Sequence, residues 1–166
     1  MSLLRYATLG AALGDLARGV RETSTNWGDD VERYLRNAGI NLPAAWCAAF
    51  VQYEADAAAK GLGVRNPLDD VKREALVLDY AAWADGIGGL RAVPVDYGDL
   101  ALFAFAAPER WNHIGLVVRP PKGLAAGDEF LSVEGNTDDA GGREGIKVAI
   151  RTRKVVPGRV RFVRWA

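Results

Sequence analysis

Apolar residues in the first half of the chain recur with the period of an α-helix. Val31, Tyr34, Leu35 and Ala38 follow the spacing i, i+3, i+4 and i+7, and Gly39 follows them as a C-terminal cap. Alanine-rich stretches before and after this segment have the same helical character. The pattern predicts four helices, at residues 7–21, 29–38, 44–60 and 69–84.

The second half contains short apolar runs that read as β-strands. Arg159, Val160, Arg161 and Phe162 alternate in polarity, as expected for a strand with one buried face. Short connections between the runs favour antiparallel neighbours. Strands are predicted at residues 100–105, 114–118, 130–134, 146–154 and 160–165. The expected fold class is therefore α+β, with N-terminal helices packed on a C-terminal antiparallel sheet of about five strands.

The length of 166 residues suits one domain with a proper core, so we treat residues 1–166 as a single domain. No run of about 18 apolar residues occurs, and no membrane span is expected. Met1–Gly14 has a faint likeness to a signal peptide. Because its short apolar stretch continues into Asp15–Arg18, a first helix is favoured over a signal peptide.

Charge is balanced overall but unevenly distributed. The chain has 21 basic and 21 acidic residues, whereas Arg143–Ala166 holds eight Lys/Arg and one Glu. The interpretation we favour is that these arginines form the solvated face of the terminal strands. The alternative is a basic flank for an anionic polymer such as cell-wall material. Basic and aromatic residues do not interleave in the way that indicates nucleic-acid binding.

The only cysteine and the only histidine stand where a cysteine hydrolase would need them. Cys47 follows Pro43 by four residues, which puts it in the first turn of a predicted helix, where free N–H groups and the helix dipole favour a thiolate. His113 opens the strand that continues to Val118 and is suited to take the thiol proton and return it. Each residue alone would more often be structural, since free cysteines are commonly buried.

A catalytic imidazole also needs a group that fixes its orientation. Glu134 and Asn136 lie two residues apart at the end of a predicted strand and are expected to share one face. Either could hold the second ring nitrogen of His113, and Glu134 would also favour the imidazolium. The alternative is that Glu134 is a charge at the rim of the sheet and that the segment from Asn136 to Asp139 is only a turn. A calcium-binding loop is a further possibility for this segment, but its spacing lacks the later acidic ligand of an EF-hand, so we favour the turn.

Weaker candidates are predicted to line a substrate groove, although aromatic residues near a helix start more often belong to the core. These candidates are Trp46, Trp111, Asn112 and Tyr53. A single cysteine excludes a thiolate metal cluster, and we predict neither a metal site nor a cofactor.

Several segments together resemble the CHAP-type cysteine amidases and endopeptidases of bacteria and phages, a papain-like class that cuts peptidoglycan. The resemblance spans roughly residues 15–155 and depends on the order of its segments. The segments are Trp46–Val51, Gly98–Phe103, Asn112–Val118 and Val133–Thr137, with flanks at Arg21–Leu35 and Gly142–Gly145.

The resemblance implies a papain-like fold, with Cys47 as nucleophile, His113 as general base and acid, and Glu134 as the orienting acid. Asn136 would be a fourth polar group that helps to position the histidine. The implied substrate is an amide bond of peptidoglycan, either the muramoyl–alanine bond or a peptide cross-bridge, and the implied place of action is the bacterial cell wall. We expect a monomer. The alternatives are a non-catalytic wall-binding or phage-structural module and an amidase that acts on a small peptide conjugate.

Overall fold

The computed structural model describes residues 2–87, 94–138 and 145–166. Within these ranges the first half of the chain forms four α-helices and one short 3-10 helix. They are α1 (Leu3–Arg18), α2 (Asp29–Asn37), α3 (Cys47–Leu62), the 3-10 helix Pro67–Asp70 and α4 (Val77–Gly86). None of the helices in the described part of the chain is both long and apolar enough to cross a bilayer.

The second half forms a single antiparallel sheet of five strands, so the α+β prediction is confirmed. The strands are β1 (Leu100–Phe103), β2 (His113–Arg119), β3 (Glu129–Thr137), β4 (Lys147–Lys154) and β5 (Val160–Val163). Their order across the sheet is β4-β3-β2-β1-β5. The chain therefore winds outward from β1 to β4 and returns to the other side of β1 with β5.

Three helix starts differ from their predictions. The first helix runs over Leu3–Arg18 and not over residues 7–21. The third helix begins at Cys47 and not at residue 44, because Trp46 has non-helical backbone angles. The predicted helix 69–84 is divided: Asn66 caps one 3-10 turn by accepting a hydrogen bond from the N–H of Leu68 at 3.0 Å, and Val71 is extended. A regular helix resumes only at Val77. Local capping thus overrides the helical period over residues 69–76.

The sheet separates two apolar layers, as the alternation along β1 shows. Leu100 and Leu102 pack into the large core that the helices share, whereas Ala101 and Phe103 join a smaller cluster with Phe130. Because successive side chains of a strand point to opposite faces, β1, β2, β3 and β5 each contribute to both layers. Helix α3 contacts β2 and β3 directly, which places its first turn beside the strands that carry the polar candidates.

A buried ion network ties the N-terminal helix to the sheet. Asp99, at the entrance to β1, is fully buried and pairs with Arg5 of α1 and with Arg164. Gly98 has φ +74°, and a Cβ there would meet the carbonyl oxygen of Arg5 at 2.6 Å. The Gly98–Asp99 pair thus allows α1 to approach the sheet closely, and its role is structural.

Two predictions fall on residues outside the described ranges. Asp139, part of the predicted turn, lies there, as do residues 142–144 of the flanking motif Gly142–Gly145.

Candidate active site

Cys47 is the first residue of helix α3, as the sequence predicts to within the first turn. The earliest hydrogen bond of this helix runs from the N–H of Phe50 to the carbonyl of Trp46, so the N–H groups of residues 47–49 are not used by it. The side chain of Cys47 is 4% exposed. The sulfur therefore lies where free N–H groups and the helix dipole favour negative charge.

His113 and Glu134 form a fully buried pair. The imidazole Nε2 lies 2.8 Å from Oε2 of the carboxylate, and both side chains are inaccessible to solvent. His113 opens β2 and Glu134 lies on the neighbouring strand β3, so the pair bridges two adjacent strands. The predicted orienting contact between the histidine and an acid is present in the structure.

The electrostatics of His113 favour its protonated form. Burial alone would lower the pKa of the imidazole, but the neighbouring Cys47 and the hydrogen bond with Glu134 outweigh it and raise the pKa to about 9. Nε2 is engaged by Glu134, and Nδ1 has no hydrogen-bond partner among the described residues. Nδ1 is thus the nitrogen available to the Cys47 sulfur, whose proximity raises the pKa of the imidazole.

Arg153 of β4 completes the polar cluster. Its Nε donates to Oε1 of Glu134 at 2.9 Å and its Nη2 donates to Oε2 at 2.5 Å, while the hydroxyl of Ser132 donates to Oε1 at 2.5 Å. Burial would raise the pKa of Glu134, yet the hydrogen bonds from Arg153 and His113 lower it to about 2. The carboxylate is therefore ionised throughout the neutral range.

The sequence interpretation of the terminal arginines is wrong for Arg153, which turns onto the buried carboxylate and not to solvent. Sequence reasoning missed this residue because alternation along β4 does not distinguish a solvated arginine from one that neutralises a buried acid. Ser132 was also missed. Its spacing of two residues from Glu134 along one strand is a signal that could have indicated it.

Two phenylalanines enclose the cluster. The Phe105 ring stacks on the His113 ring with centroids 5.5 Å apart, and Phe103 lies 5.8 Å from it. The guanidinium carbon of Arg153 lies 5.0 Å from the centroid of each phenylalanine ring, within the range of cation–π attraction. Phe105 is itself 37% exposed, so it separates the buried charges from solvent.

Two glycines permit the close approach of the strands and helix at this site. A Cβ on Gly115 would meet Cγ of Glu134 at 2.6 Å, and a Cβ on Gly135 would meet Cζ3 of Trp46 at 2.7 Å. Gly135 also lies against Phe50 of α3. The strand that carries Glu134 therefore packs directly on the helix that carries Cys47.

Asn136 does not take the place predicted for it. It has φ +54°, and the pairing of β3 with β4 shifts register between Glu134 and Thr137, so the regular alternation assumed for residues 134 and 136 is broken. Its amide atoms are buried and make no hydrogen bond within the described part of the chain. The structure thus orients His113 through Glu134 and brings no hydrogen bond from Asn136 to the imidazole.

Trp46 is a core residue, which corrects the prediction that it lines a groove. It is fully buried, its indole N–H donates to Oε1 of Glu22 at 2.8 Å, and its ring stacks on Tyr34. The aromatic neighbour Tyr53 also packs edge-on against Tyr34. The packing therefore supports the interpretation that Trp46 and Tyr53 belong to the core, and not the interpretation that they line a substrate groove.

Asn112 supports the turn that precedes the histidine. Its Oδ1 accepts from the N–H of Phe105 at 3.1 Å, and its own N–H donates to the carbonyl of Phe103 at 2.9 Å. These bonds hold the Phe105 ring next to His113. The predicted contact of Asn112 with a substrate is untested, and its described bonds give it a structural task.

Trp111 is the one candidate among Trp46, Trp111 and Asn112 that the structure places on an open groove. The groove has a volume of about 800 Å³ and runs between α4 and β5. Its wall includes apolar residues such as Leu78 and Phe162, with Asp85 and Arg161 as an ion pair at 2.8 Å. Trp111 lies two residues before His113 in the chain, and Cys47, His113 and Glu134 themselves do not line the groove.

Comparison with known proteins gives no relative. No family model, curated protein or solved structure matches the chain. The site itself combines a thiol at a helix N-terminus, an imidazole, and an ionised acid that holds the imidazole. Such a set can activate a thiol for attack on a carbonyl carbon.

Proposed function

We propose that the protein is a thiol-dependent hydrolase of amide bonds in bacterial peptidoglycan, with a papain-like arrangement of its catalytic groups. The observation that carries this proposal is the contact of Nε2 of His113 with the buried carboxylate of Glu134 at 2.8 Å, next to Cys47 at the start of α3. A buried histidine held by an ionised acid beside a lone thiol can activate that thiol as a nucleophile, whereas the stability of a core does not require such an arrangement.

The first half of the reaction forms an acyl-enzyme. The proton of the Cys47 thiol passes to Nδ1 of His113 and gives the thiolate–imidazolium pair that the raised pKa of His113 favours, and the sulfur then attacks the carbonyl carbon of the scissile amide. Glu134 stabilises the imidazolium that results, because it remains ionised and hydrogen-bonded to Nε2. The tetrahedral intermediate then collapses, the C–N bond breaks, and the leaving amine receives the proton from His113.

Negative charge on the carbonyl oxygen would be stabilised by the start of α3. The backbone N–H of Cys47 makes no hydrogen bond within the helix, and it lies close to the attacking sulfur because both belong to the same residue. In the second half of the reaction a water molecule, deprotonated by His113, attacks the thioester and releases the acid. The sequence of steps returns both proton and thiol to their initial positions.

Peptidoglycan is proposed as substrate because of the four motif segments, which occur in one order along the chain and resemble wall hydrolases of the CHAP type. The groove of about 800 Å³ beside Trp111 has the size and the mixed apolar and charged lining that suit a short peptide stem. Action at the bacterial cell wall follows from that substrate.

The direct test is digestion of purified peptidoglycan with the wild type and with Cys47→Ala, with identification of soluble products by mass spectrometry. Because Cys47 is the only cysteine, the substitution removes every thiol. Lys154→Gln, an exposed change on β4, is the matched control. We expect products from the wild type and the control only, and their new termini distinguish an amidase from an endopeptidase.

Other outcomes would contradict parts of the proposal. Products from Cys47→Ala would exclude the thiol mechanism. If several wall types yield no product but soluble muropeptide-like amides are cleaved, the substrate is a small peptide conjugate. Sedimentation of the protein with intact walls, without cleavage of either substrate, would favour the non-catalytic binding module.

A further inference from the structure

Arg153 is placed to act on the active site although it lies two strands away from His113. It is on β4, Glu134 is on β3 and His113 is on β2, which are neighbouring strands of the sheet, and the Arg153 side chain reaches along the sheet because its own cross-strand partner is Phe130. Two guanidinium nitrogens donate to the two carboxylate oxygens of Glu134, at 2.9 Å and 2.5 Å. The bidentate geometry fixes the plane of the carboxylate and hence the direction of the oxygen that His113 meets.

The four charged groups from Cys47 to Arg153 alternate in sign. In the reactive state, Cys47 is a thiolate and His113 an imidazolium, while Glu134 is a carboxylate and Arg153 a guanidinium. All four groups are largely removed from water, since the Arg153 side chain is 13% exposed and the others are 4% exposed or less. A buried carboxylate that must serve a buried imidazolium needs compensation, because otherwise the acid would take up a proton and leave the histidine unpaired.

The groups that face Glu134 come from each strand beside it. They are His113 from β2, Ser132 from its own strand and Arg153 from β4, with Cys47 of α3 acting through the histidine. Among these described neighbours Arg153 is the permanent cation, since a guanidinium does not lose its proton in proteins. Phe103 and Phe105, at 5.0 Å from its guanidinium carbon, hold it over the cluster.

We propose that Arg153 is a positioning residue of the hydrolase: its guanidinium compensates and orients the Glu134 carboxylate, which in turn keeps the protonated His113 in place beside Cys47. The role rests on the proposed function for its catalytic consequence, but the state of the thiol and of the histidine can be measured without any substrate. Arg153 itself touches no reacting atom.

The test compares Arg153→Gln and Arg153→Lys with the wild type, and uses Lys154→Gln as the control that removes an exposed cation from the same strand. The first readout is the rate of iodoacetamide alkylation between pH 4 and 9, which reports Cys47 alone because the chain has one cysteine. The second is the ring-proton titration of the single histidine by NMR. The third is kcat and KM for wall digestion.

We expect the acid limb of the Arg153→Gln alkylation profile to move to higher pH by about one unit or more. Without the guanidinium, Glu134 is protonated at a higher pH, and a neutral Glu134 no longer stabilises the imidazolium that pairs with the thiolate. The titration of His113 should change with it, kcat should fall by about tenfold or more, and KM should change little. Arg153→Lys, which keeps the charge but not the bidentate geometry, should recover much of the profile and less of kcat. Lys154→Gln should match the wild type.

A wild-type alkylation profile and histidine titration in folded Arg153→Gln would overturn the inference. If that variant does not fold, Arg153→Lys decides, because unchanged kcat and an unchanged acid limb there contradict a positioning role. Absence of wall digestion by the wild type, together with the expected shifts in alkylation and titration, would refute the proposed substrate and leave the charge compensation by Arg153 established.

Discussion

Oε2 of Glu134 receives hydrogen bonds from two buried cations, at 2.8 Å from Nε2 of His113 and at 2.5 Å from Nη2 of Arg153. One cation is permanent and the other depends on pH, so the carboxylate connects a fixed charge to one that titrates.

The pKa of His113 can be measured directly, because it is the only histidine. Since Glu134 and Cys47 raise this pKa to about 9, we expect Glu134→Gln and Cys47→Ala each to lower it. The ring-proton shift against pH gives the value. Glu129→Gln, an exposed change on the same strand, should leave it unchanged. A histidine that titrates near 6.5 in the wild type would show that the pair does not stabilise the imidazolium.

Stability should fall as pH rises because of a second buried acid, Glu54. Burial and the neighbouring Asp15 raise the pKa of Glu54 to about 9. Above about pH 4.5, where the unfolded chain has an ionised Glu54, folding therefore requires this side chain to take up a proton. Stability from this group is present below about pH 4.5 and is lost progressively up to about pH 9.

Glu54→Gln keeps the shape of the protonated acid and removes the proton uptake. We expect it to be more stable than the wild type at pH 8, by an amount on the order of a few kcal/mol, and similar to it near pH 4.5. Urea unfolding at several pH values measures the difference. Equal slopes of stability against pH in both proteins would show that Glu54 is not protonated when buried.

Contact between β3 and α3 leaves no room for a side chain at residue 135. Gly135→Ala places a Cβ 2.7 Å from Cζ3 of Trp46 and 2.9 Å from Cβ of Phe50. We expect a loss of about 1–3 kcal/mol in the free energy of unfolding and a fall in activity as Glu134 shifts.

Gly61→Ala is the control for that substitution, because Gly61 lies in α3, the helix on which Gly135 packs, and a Cβ there meets nothing within 4 Å. It should stabilise the protein by about 0.5–1 kcal/mol, since alanine favours a helix over glycine. Similar thermal unfolding curves for the two variants would mean that β3 and α3 can separate enough at residue 135 to accommodate a methyl group.

Asp99 should matter for stability and not for chemistry. Asp99→Asn leaves Arg5 and Arg164 without their buried counter-charge, and removal of one partner from such a network costs about 3–5 kcal/mol. Chemical unfolding measures the loss. The pH profile of Cys47 alkylation in the folded fraction should stay as in the wild type, and a shifted profile would mean that the network reaches the active site.

Trp111 should affect substrate binding more than turnover. Trp111→Ala removes an aromatic surface from the groove, and we expect KM for soluble wall fragments to rise by about tenfold with kcat nearly unchanged. Tyr97→Ala, at an exposed aromatic residue that does not line the groove, is the control. A fall in kcat alone would place Trp111 in support of His113 and not in contact with substrate.

The sequence by itself determined the α+β class and the positions of Cys47 and His113 at the starts of a helix and of a strand. Periods of apolar residues, proline and glycine are local signals, and they were enough to predict four helices and five strands. They left Glu134 and Asn136 both open as partners of His113, and the resemblance to a known family indicated Glu134. The apolar period failed to predict the break over residues 69–76, where a 3-10 turn capped at its start by Asn66 ends at an extended Val71 and the next helix begins only at Val77.

Tertiary structure alone decided which polar groups meet. Asn136 lost its predicted contact because a positive φ and a register shift break the alternation of β3, and Trp46 became core because α3 packs on Gly135. Arg153 gained a role that no local pattern marks, since its partner Glu134 is 19 residues away along the chain. A buried charge is stabilised by whichever opposite charge the fold brings to it, and strand order across the sheet is what brings Arg153 there.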